Sequence, residues 1–482
     1  MTEWHTRDFP EAAKDLLAQT QTRKNVQHAT GVIQEKRNRM AAELPDWEDL
    51  REAGAQVKAH TLRHLDHYLA EFEDNCTRAG GQVHWAADAA EANRIILELV
   101  ERRQAKEVIK IKTMTSEEVG LNAHLEANGV RPVETDLAEL IIQLGKDRPS
   151  HFVAPALHVN AQQVRAMFQR EMHLPDLGDT PEDLATAARN YLRQKFLHNK
   201  VAVSGGNFLI ADTGGVCILE SEGNGRMCLT LPDVLISIVG IEKVIPAFRD
   251  LEIFLQTLPR SATGERMNPY NSTWCGVHAG DGPKEFHVVL LDNGRSPILA
   301  DNEARQTLQC IRCAACLNAC PVYHQTGGHA YESVYAGPIG AILTPQLQSM
   351  EKGRSLPYAS SLCGACYEVC PVKINIPEVL IHLRGKVVRE DQATLAGKFS
   401  LWNIGMQAAA FLFHDADRLA MAERLGQVGQ GALVSKNGFI EWMPGVLSGW
   451  TQTRDLKAMP AQSFREWWAK EKVPQNGKVG RG

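Results

Sequence analysis

The stretch Cys310-Ile-Arg-Cys313-Ala-Ala-Cys316-Leu-Asn-Ala-Cys320-Pro321 follows the pattern C-x2-C-x2-C-x3-C-P. Three thiolates at two-residue gaps can wrap around one cubane cluster, and the fourth thiolate, three residues further on, reaches a different cluster. The proline fixes the backbone where the chain leaves the site. The stretch therefore predicts an α-helical, ferredoxin-type module that holds two iron–sulfur clusters.

A second motif, Cys363-Gly-Ala-Cys366-Tyr-Glu-Val-Cys370-Pro371, ends in the same way, but Ser360 stands where the first motif has its leading cysteine. The crossed ligand rule predicts the following sets: Cys310, Cys313, Cys316 and Cys370 for cluster one, and Cys320, Cys363 and Cys366 for cluster two. Cluster two is one cysteine short. We expect two [4Fe-4S] clusters, with a water, Ser360 or another group on the last iron of cluster two, or a [3Fe-4S] cluster there.

A zinc site is the alternative interpretation of these cysteines. Zinc usually takes four ligands from two C-x2-C knuckles, which fits seven cysteines with two C-P endings poorly. The segment from 321 to 362 between the motifs is long for a compact ferredoxin. It resembles the helical two-cluster module of the succinate dehydrogenase iron–sulfur subunit. The odd total of 11 cysteines argues against a disulfide framework.

The residues before the motifs predict an α/β domain. Helix-like segments alternate with strand-like segments, which indicates a parallel or mixed sheet covered by helices. We expect strands at 82–87, 107–112, 131–136, 151–155, 201–203, 208–212, 216–220, 234–239 and 286–292. The predicted regions are an N-terminal helical segment at 1–70, the α/β domain at 71–295, the cluster domain at 300–395 and a tail at 396–482.

Composition is that of an ordinary folded protein. The 482 residues are 44% hydrophobic and carry a net charge of −5, with no long basic run, so we expect no nucleic-acid partner. Leu401–Phe413 falls short of the ~20 apolar residues that a membrane span needs. The first ten residues lack a basic region followed by an apolar one. We expect a cytoplasmic protein without a transmembrane segment, at most peripheral on the inner face of the membrane.

Two loops give weaker signals. The glycine turns at 204–207 and 213–215 could cradle a phosphate, but they lack a nucleotide-binding fingerprint, which favours tight turns between strands. The segment Glu220-Ser-Glu222-Gly-Asn224-Gly-Arg226 brings two carboxylates and a cation together, as a small-acid site or a solvated loop would. For His324 and His329 near the motifs, we expect surface or packing roles.

Motifs along nearly the whole chain resemble the lactate utilisation protein B (LutB) family of LUD-domain iron–sulfur proteins. They include Lys112-Thr-Met-Thr-Ser-Glu-Glu118, Glu222-Gly-Asn-Gly-Arg226, Gly240-Ile-Glu-Lys243, both cysteine motifs and Ser463-Phe-Arg-Glu-Trp-Trp468. The resemblance implies that the α/β region is a LUD domain with the fold of the NagB/RpiA/CoA-transferase group. It also implies LutA-like and LutC-like partner subunits and a role in oxidising L-lactate to pyruvate.

Three functions remain open from the sequence. Without a flavin or nicotinamide fingerprint, a non-catalytic electron-transfer subunit is the leading hypothesis, with an unidentified electron acceptor and no catalytic residue assigned. In the alternative, the LUD domain itself binds a small carboxylate or nucleotide around Asn207, Glu222 and Arg226, and the clusters relay its electrons. A redox-sensing regulator is the third.

Overall fold

The computed structural model describes residues 7–452 and 454–471. The chain divides into two compact units, one ending at Val387 and one beginning at Val388. The first unit contains both the α/β region and all seven motif cysteines. Among the described residues, no helix combines the length and the apolar character that crossing a bilayer requires.

Four helices open the chain: α1 (Phe9–Ala18), α2 (Thr20–Ala42), α3 (Trp47–Arg63) and α4 (Leu65–Arg78). The described part of the predicted N-terminal segment is helical, with a break at His64 between α3 and α4. Helix α2 packs on α12 and on the cysteine region, and α3 also contacts α12 (these later elements are bounded below). The N-terminal helices therefore brace both parts of the first unit.

The α/β region follows. Its first half contains β1 (Gln82–Ala86), α5 (Ala89–Arg102), β2 (Glu107–Lys110), α6 (Met114–Glu118), α7 (Leu121–Ala127), β3 (Arg131–Glu134), α8 (Leu137–Gly145), α9 (Ala161–Glu171), α10 (Pro181–His198) and β4 (Val201–Ser204). Its second half contains β5 (Phe208–Ile210), β6 (Gly215–Glu220), α11 (Asn224–Thr230), β7 (Val234–Gly240), β8 (Val244–Ile245), α12 (Leu251–Ala262), β9 (Tyr270–Trp274), β10 (Glu285–Leu291) and α13 (Arg295–Ala300).

Six strands form one parallel sheet in the order β1-β10-β7-β4-β2-β3. Its central strand, β7, is buried along its whole length. Leu235 and Val239 pack with helix α4 on one face, whereas Ile236 and Ile238 pack with α5 on the other. This two-sided burial explains the continuous apolar runs of the central strands.

The other four strands leave the main sheet and form a mixed sheet in the order β8-β5-β6-β9. Strands β5 and β6 are a hairpin around Thr213-Gly214-Gly215, which confirms a tight turn there. Gly214 has φ +64°, and a Cβ atom at this position would lie 2.1 Å from the backbone nitrogen of Cys76. Only glycine fits such a turn.

The predicted strand at 151–155 is wrong. The residues are irregular because the buried ring of His151 accepts the backbone N–H groups of Val153 and Ala154, at 3.1 Å each. Those donors would otherwise serve a strand ladder. The second ring nitrogen of His151 lies 3.0 Å from Asn318 Oδ1, in the cysteine region.

The cysteine region is helical, as predicted, and its described residues contain no strand. It comprises α14 (Ala315–Asn318), α15 (Pro321–Thr326), α16 (Gly337–Leu347), α17 (Met350–Gly353), α18 (Ala365–Glu368) and α19 (Ile376–Ala393). The second unit contains α20 (Leu395–Lys398), α21 (Leu401–Phe413), α22 (Ala416–Gly429), β11 (Phe439–Ile440), α23 (Ser448–Thr451), β12 (Leu456–Lys457) and α24 (Phe464–Glu471). The last residues of the predicted tail lie outside the described residues.

Candidate iron–sulfur centre and the adjoining pocket

Four cysteines line one small cavity with aliphatic walls: Cys310, Cys313, Cys316 and Cys370. All four are buried. The first three come from one loop and the start of α14, whereas Cys370 comes from the end of the second motif. This grouping is the one that the crossed ligand rule predicts for cluster one.

The remaining motif cysteines form a second group. Cys320 and Cys366 are buried, whereas Cys363 is exposed. Burial, and then the nearby thiols of Cys320 and Cys363, raise the pKa of Cys366 to about 12. This group again combines one cysteine of the first motif with two of the second.

The two motifs follow the same backbone path. Arg312 and Ala314 flank Cys313 with φ of +61° and +62°, and Leu362 and Gly364 flank Cys363 with φ of +56° and +85°. Left-handed conformations cost energy for residues other than glycine, so contacts with the rest of the structure must keep these loops in this conformation. Each loop leads into a four-residue helix, α14 or α18, and each motif ends in a proline.

The chemistry of the donors fits iron–sulfur clusters. The candidate ligand atoms of both groups are all cysteine sulfurs, and backbone N–H groups donate to three of these sulfurs. Arg312 N–H donates to Cys310 Sγ (3.4 Å), Tyr323 N–H to Cys320 Sγ (3.5 Å) and Ile374 N–H to Cys370 Sγ (3.4 Å). Such N–H···S bonds stabilise cluster thiolates and tune cluster potentials.

Ser360 lies three residues before Cys363, where the first motif has its leading cysteine. The side chain is half-buried, and its Oγ accepts the N–H of Leu362 at 3.1 Å. Arg384 donates to the Ser360 carbonyl at 3.3 Å. The serine is therefore held in place by its neighbours.

A buried charge network joins the cysteine loop to the α/β domain. Arg295 donates to both carboxylate oxygens of Glu118, at 2.9 Å each, and to Glu242 at 2.5 Å. Glu242 also accepts from Arg312 Nη2 at 3.3 Å. Although burial raises the pKa of Glu242, Arg295 and Arg312 lower it to about 2. Glu242 therefore stays charged.

A pocket of about 320 Å³ opens beside this network. It lies at the carboxyl ends of β2 and β4, the edge of a parallel sheet where ligands commonly bind. Cations and acids both line it: Lys112, Lys243 and Arg312, and Asp136, Glu220 and Glu222. Because Arg312 lies between Cys310 and Cys313, one wall of the pocket belongs to the cluster-one loop.

Only some of the residues predicted to bind a small acid line this pocket. Asn207 and Glu222 line it, together with the glycine turn Gly205-Gly206. Arg226 does not, since its guanidinium lies 5.4 Å from the ring centre of Tyr270 and donates to Ser272. The sequence interpretation missed Lys243 and Arg312. The charged pair Glu242-Lys243, just after the buried strand β7, was the available signal.

The two histidines near the motifs each contact a backbone carbonyl, and the His329 ring also lies in a group with His158 and Asp147 whose ligand atoms are within 4.8 Å of one another. His324 Nε2 lies 2.6 Å from the carbonyl oxygen of Asn318. His329 Nε2 lies 2.8 Å from the carbonyl oxygen of Arg148. Neither ring lines the cysteine cavity.

Comparison with known families gives the class of protein first. The family model described as LUD domain matches residues 69–291, and the 4Fe-4S dicluster domain matches residues 306–374. The chain is thus a LUD-domain protein with a 4Fe-4S dicluster domain. A solved DUF162 family protein from Deinococcus radiodurans is similar over 47% of this chain and 98% of that one, with 13% identity and a TM-score of 0.27.

Curated relatives then define the family. Lactate utilization protein B of Oceanobacillus iheyensis is 43% identical, and the match covers 93% of each chain. The protein of the same name from Bacillus subtilis is 40% identical over 92% of each chain, and that from Exiguobacterium sp. is 41% identical over 96% of this chain and 97% of the other. The chain belongs to the lactate utilization protein B family.

Proposed function

We propose that this protein is the iron–sulfur electron-transfer subunit of a lactate-utilisation complex that oxidises L-lactate to pyruvate. Cys310, Cys313, Cys316 and Cys370 would hold a [4Fe-4S] cluster. Cys320, Cys363 and Cys366 would hold a second cluster, either [4Fe-4S] with a ligand other than cysteine or [3Fe-4S]. Such clusters supply one-electron chemistry when bound.

The difference in burial between the two cysteine groups carries this proposal. The cluster-one group is enclosed next to the α/β domain, whereas the cluster-two group reaches the surface at Cys363. Tyr358, Leu362 and Tyr367 expose apolar side chains around this edge. A protein that exchanges electrons with a partner needs one such accessible centre, and exposed aromatic side chains suit protein contacts.

The proposal gives each region a task. Residues 1–70 brace the protein, 71–295 form the LUD domain, 300–395 hold the clusters and 396–482 form the family-specific tail. LutA-like and LutC-like subunits would be the partners, in the cytoplasm or at the inner face of the membrane. The electrons would pass on to an acceptor outside this chain.

Lactate-dependent cluster reduction tests the proposal. The protein is purified anaerobically, alone and with its two partner subunits, and lactate is added while visible absorption and electron paramagnetic resonance are recorded. We expect reduction only in the complex. Reduction of the lone chain would instead favour an enzyme whose LUD domain oxidises lactate itself, and no reduction in either sample would refute the role in lactate oxidation.

A further inference from the structure

We propose that the pocket between the LUD domain and the cluster-one loop binds a small hydroxycarboxylate. Its carboxylate would lie at Lys243 and Arg312, and its hydroxyl would lie at Asn224. Binding at this site goes beyond the electron-carrier role, since a carrier needs no organic ligand of its own.

Lys243 supplies the first argument. Its side chain is buried and lines the pocket. In the part of the chain that the structure describes, its ammonium group has neither a hydrogen-bond acceptor nor an ion-pair partner. A buried charge without a partner is costly, so positions of this kind are kept where an anion is bound.

Arg312 adds a directed donor. Its side chain is 9% exposed and reaches Glu242 through Nη2 alone. The guanidinium lies 4.8 Å from the ring centre of Tyr335, and its buried Nη1 group has no hydrogen-bond partner within the described residues. A guanidinium with one edge free is well suited to a carboxylate, which it can bind in a planar and directional way.

The charge balance around these two cations favours an anion. Lys58, which lies under the network, donates to the carbonyl oxygens of Glu242 and Val244 and is also fully buried. Burial lowers the pKa of Lys58 to about 7, but even without this lysine the buried cations of the network outnumber its carboxylates: Lys243, Arg295 and Arg312 against Glu118 and Glu242. An anionic cluster on the cysteine side balances part of this excess. Lys243 and Arg312 also line the pocket, where a second anion can balance the rest.

Asn224 indicates that the ligand also carries a hydrogen-bond donor. Its Nδ2 group donates to Thr135 Oγ1 at 3.1 Å. Its Oδ1 atom is buried and, among the described residues, accepts no hydrogen bond. A hydroxyl group on the ligand would satisfy this acceptor, whereas a simple carboxylate would leave it unpaired.

The acids that line the pocket disfavour a second negative group on the ligand. Asp136 is occupied as the cap of α8, where it accepts the N–H groups of Ala138 and Glu139. Burial and then the nearby Asp136 raise the pKa of Glu222. A second carboxylate on the ligand would face these acids. The volume of about 320 Å³ holds a small acid together with ordered water.

Isothermal titration calorimetry on the anaerobically purified, cluster-loaded full chain tests this site, with L-lactate, propionate and lactamide as probes. Propionate lacks the hydroxyl, and lactamide lacks the charge. We expect L-lactate to bind at one site per chain, propionate to bind more weakly and lactamide not to bind.

Variants distinguish the pocket from other surfaces. Lys243→Met should weaken L-lactate binding at least about tenfold, while iron content stays the same and the apparent melting temperature stays equal or rises, because an unpaired buried charge is removed. Asn224→Ala should weaken L-lactate but leave propionate unchanged. Arg226→Ala, outside the pocket, is the matched control and should bind like the parent.

Two results would overturn the inference. One is a cluster-loaded parent that binds none of the three probes. The other is a Lys243→Met variant that binds L-lactate like the parent. Either result leaves the electron-carrier proposal standing, since that proposal depends on cluster reduction in the complex and not on binding to the lone chain.

Discussion

Replacing Glu242 by glutamine tests the buried network that joins the LUD domain to the cysteine loop. The carboxylate is 1% exposed and is shared by Arg295, also 1% exposed, and Arg312. In Glu242→Gln, Arg295 keeps its two bonds to Glu118. Arg312 loses the only carboxylate that it contacts within the described residues.

The expected cost follows from this geometry. Removing one partner of a buried ion pair typically destabilises a protein by ~3–5 kcal/mol, because the remaining charge stays buried without compensation. For the first unit, which ends at Val387, we expect the apparent melting temperature to fall by ~4–6 °C. An anionic cluster near Arg312 compensates part of the lost charge, so iron-free protein should lose more stability than loaded protein.

Differential scanning fluorimetry on loaded and iron-free protein measures the effect at matched scan rates. Glu265→Gln is the control, since Glu265 forms a 3.8 Å pair with Lys36 in which both side chains are about half exposed. Such surface pairs contribute little, so the control should melt like the parent. A Glu242→Gln variant that melts within about 1 °C of the parent in both states would refute the reasoning.

Three further substitutions have defined outcomes. Ser360→Cys supplies the missing thiolate, so cluster two should bleach more slowly in air and give a four-iron resonance signal; bleaching at the parental rate would contradict this. Burial and then the carboxylate of Glu134 raise the pKa of Glu139 from 4.5 to about 8, so the folded chain keeps a proton that the unfolded chain releases. The free energy of unfolding should therefore fall as the pH rises from about 4.5 to about 8. Glu139→Gln should remove this fall, so that near pH 8 its free energy of unfolding exceeds that of the parent by on the order of 3 kcal/mol. Parallel pH profiles of the variant and the parent would contradict this. Gly214→Ala should cost ~3 kcal/mol or more because its Cβ meets the backbone of Cys76, whereas Gly129→Ala, also at positive φ but in open space, should cost ~1 kcal/mol; equal melting temperatures would count against the steric argument.

Local patterns were sufficient to predict the features that depend on neighbours in sequence. The cysteine spacing predicted the grouping in which Cys310, Cys313, Cys316 and Cys370 line one cavity, because the gaps within each motif are short and local. The apolar runs gave the central strands β4, β7 and β10.

The features that were missed depend on distant parts of the chain. Strands β5 and β6 resemble those of the main sheet in sequence, yet they pair with β8 and β9, which no local pattern selected. Residues 151–155 form no strand because the ring of His151 binds the backbone N–H groups that a strand would use. The same ring also contacts Asn318, which is distant in sequence. Lys243 and Arg312 lie 69 positions apart in the numbering and meet only because the cysteine loop packs on the sheet edge.

Hydrogen bonds from the N-terminal helices to the second cysteine motif couple iron loading to resistance against proteolysis. Arg51 of α3 donates to the carbonyl oxygens of Cys370 and Tyr367, at 2.9 and 3.1 Å, and Arg37 of α2 donates to that of Val369. Those carbonyls belong to residues 367–370, at the end of the second cysteine motif. We therefore expect iron-free protein to be cleaved faster than loaded protein at its first helices in limited proteolysis, and equal cleavage rates would contradict this coupling.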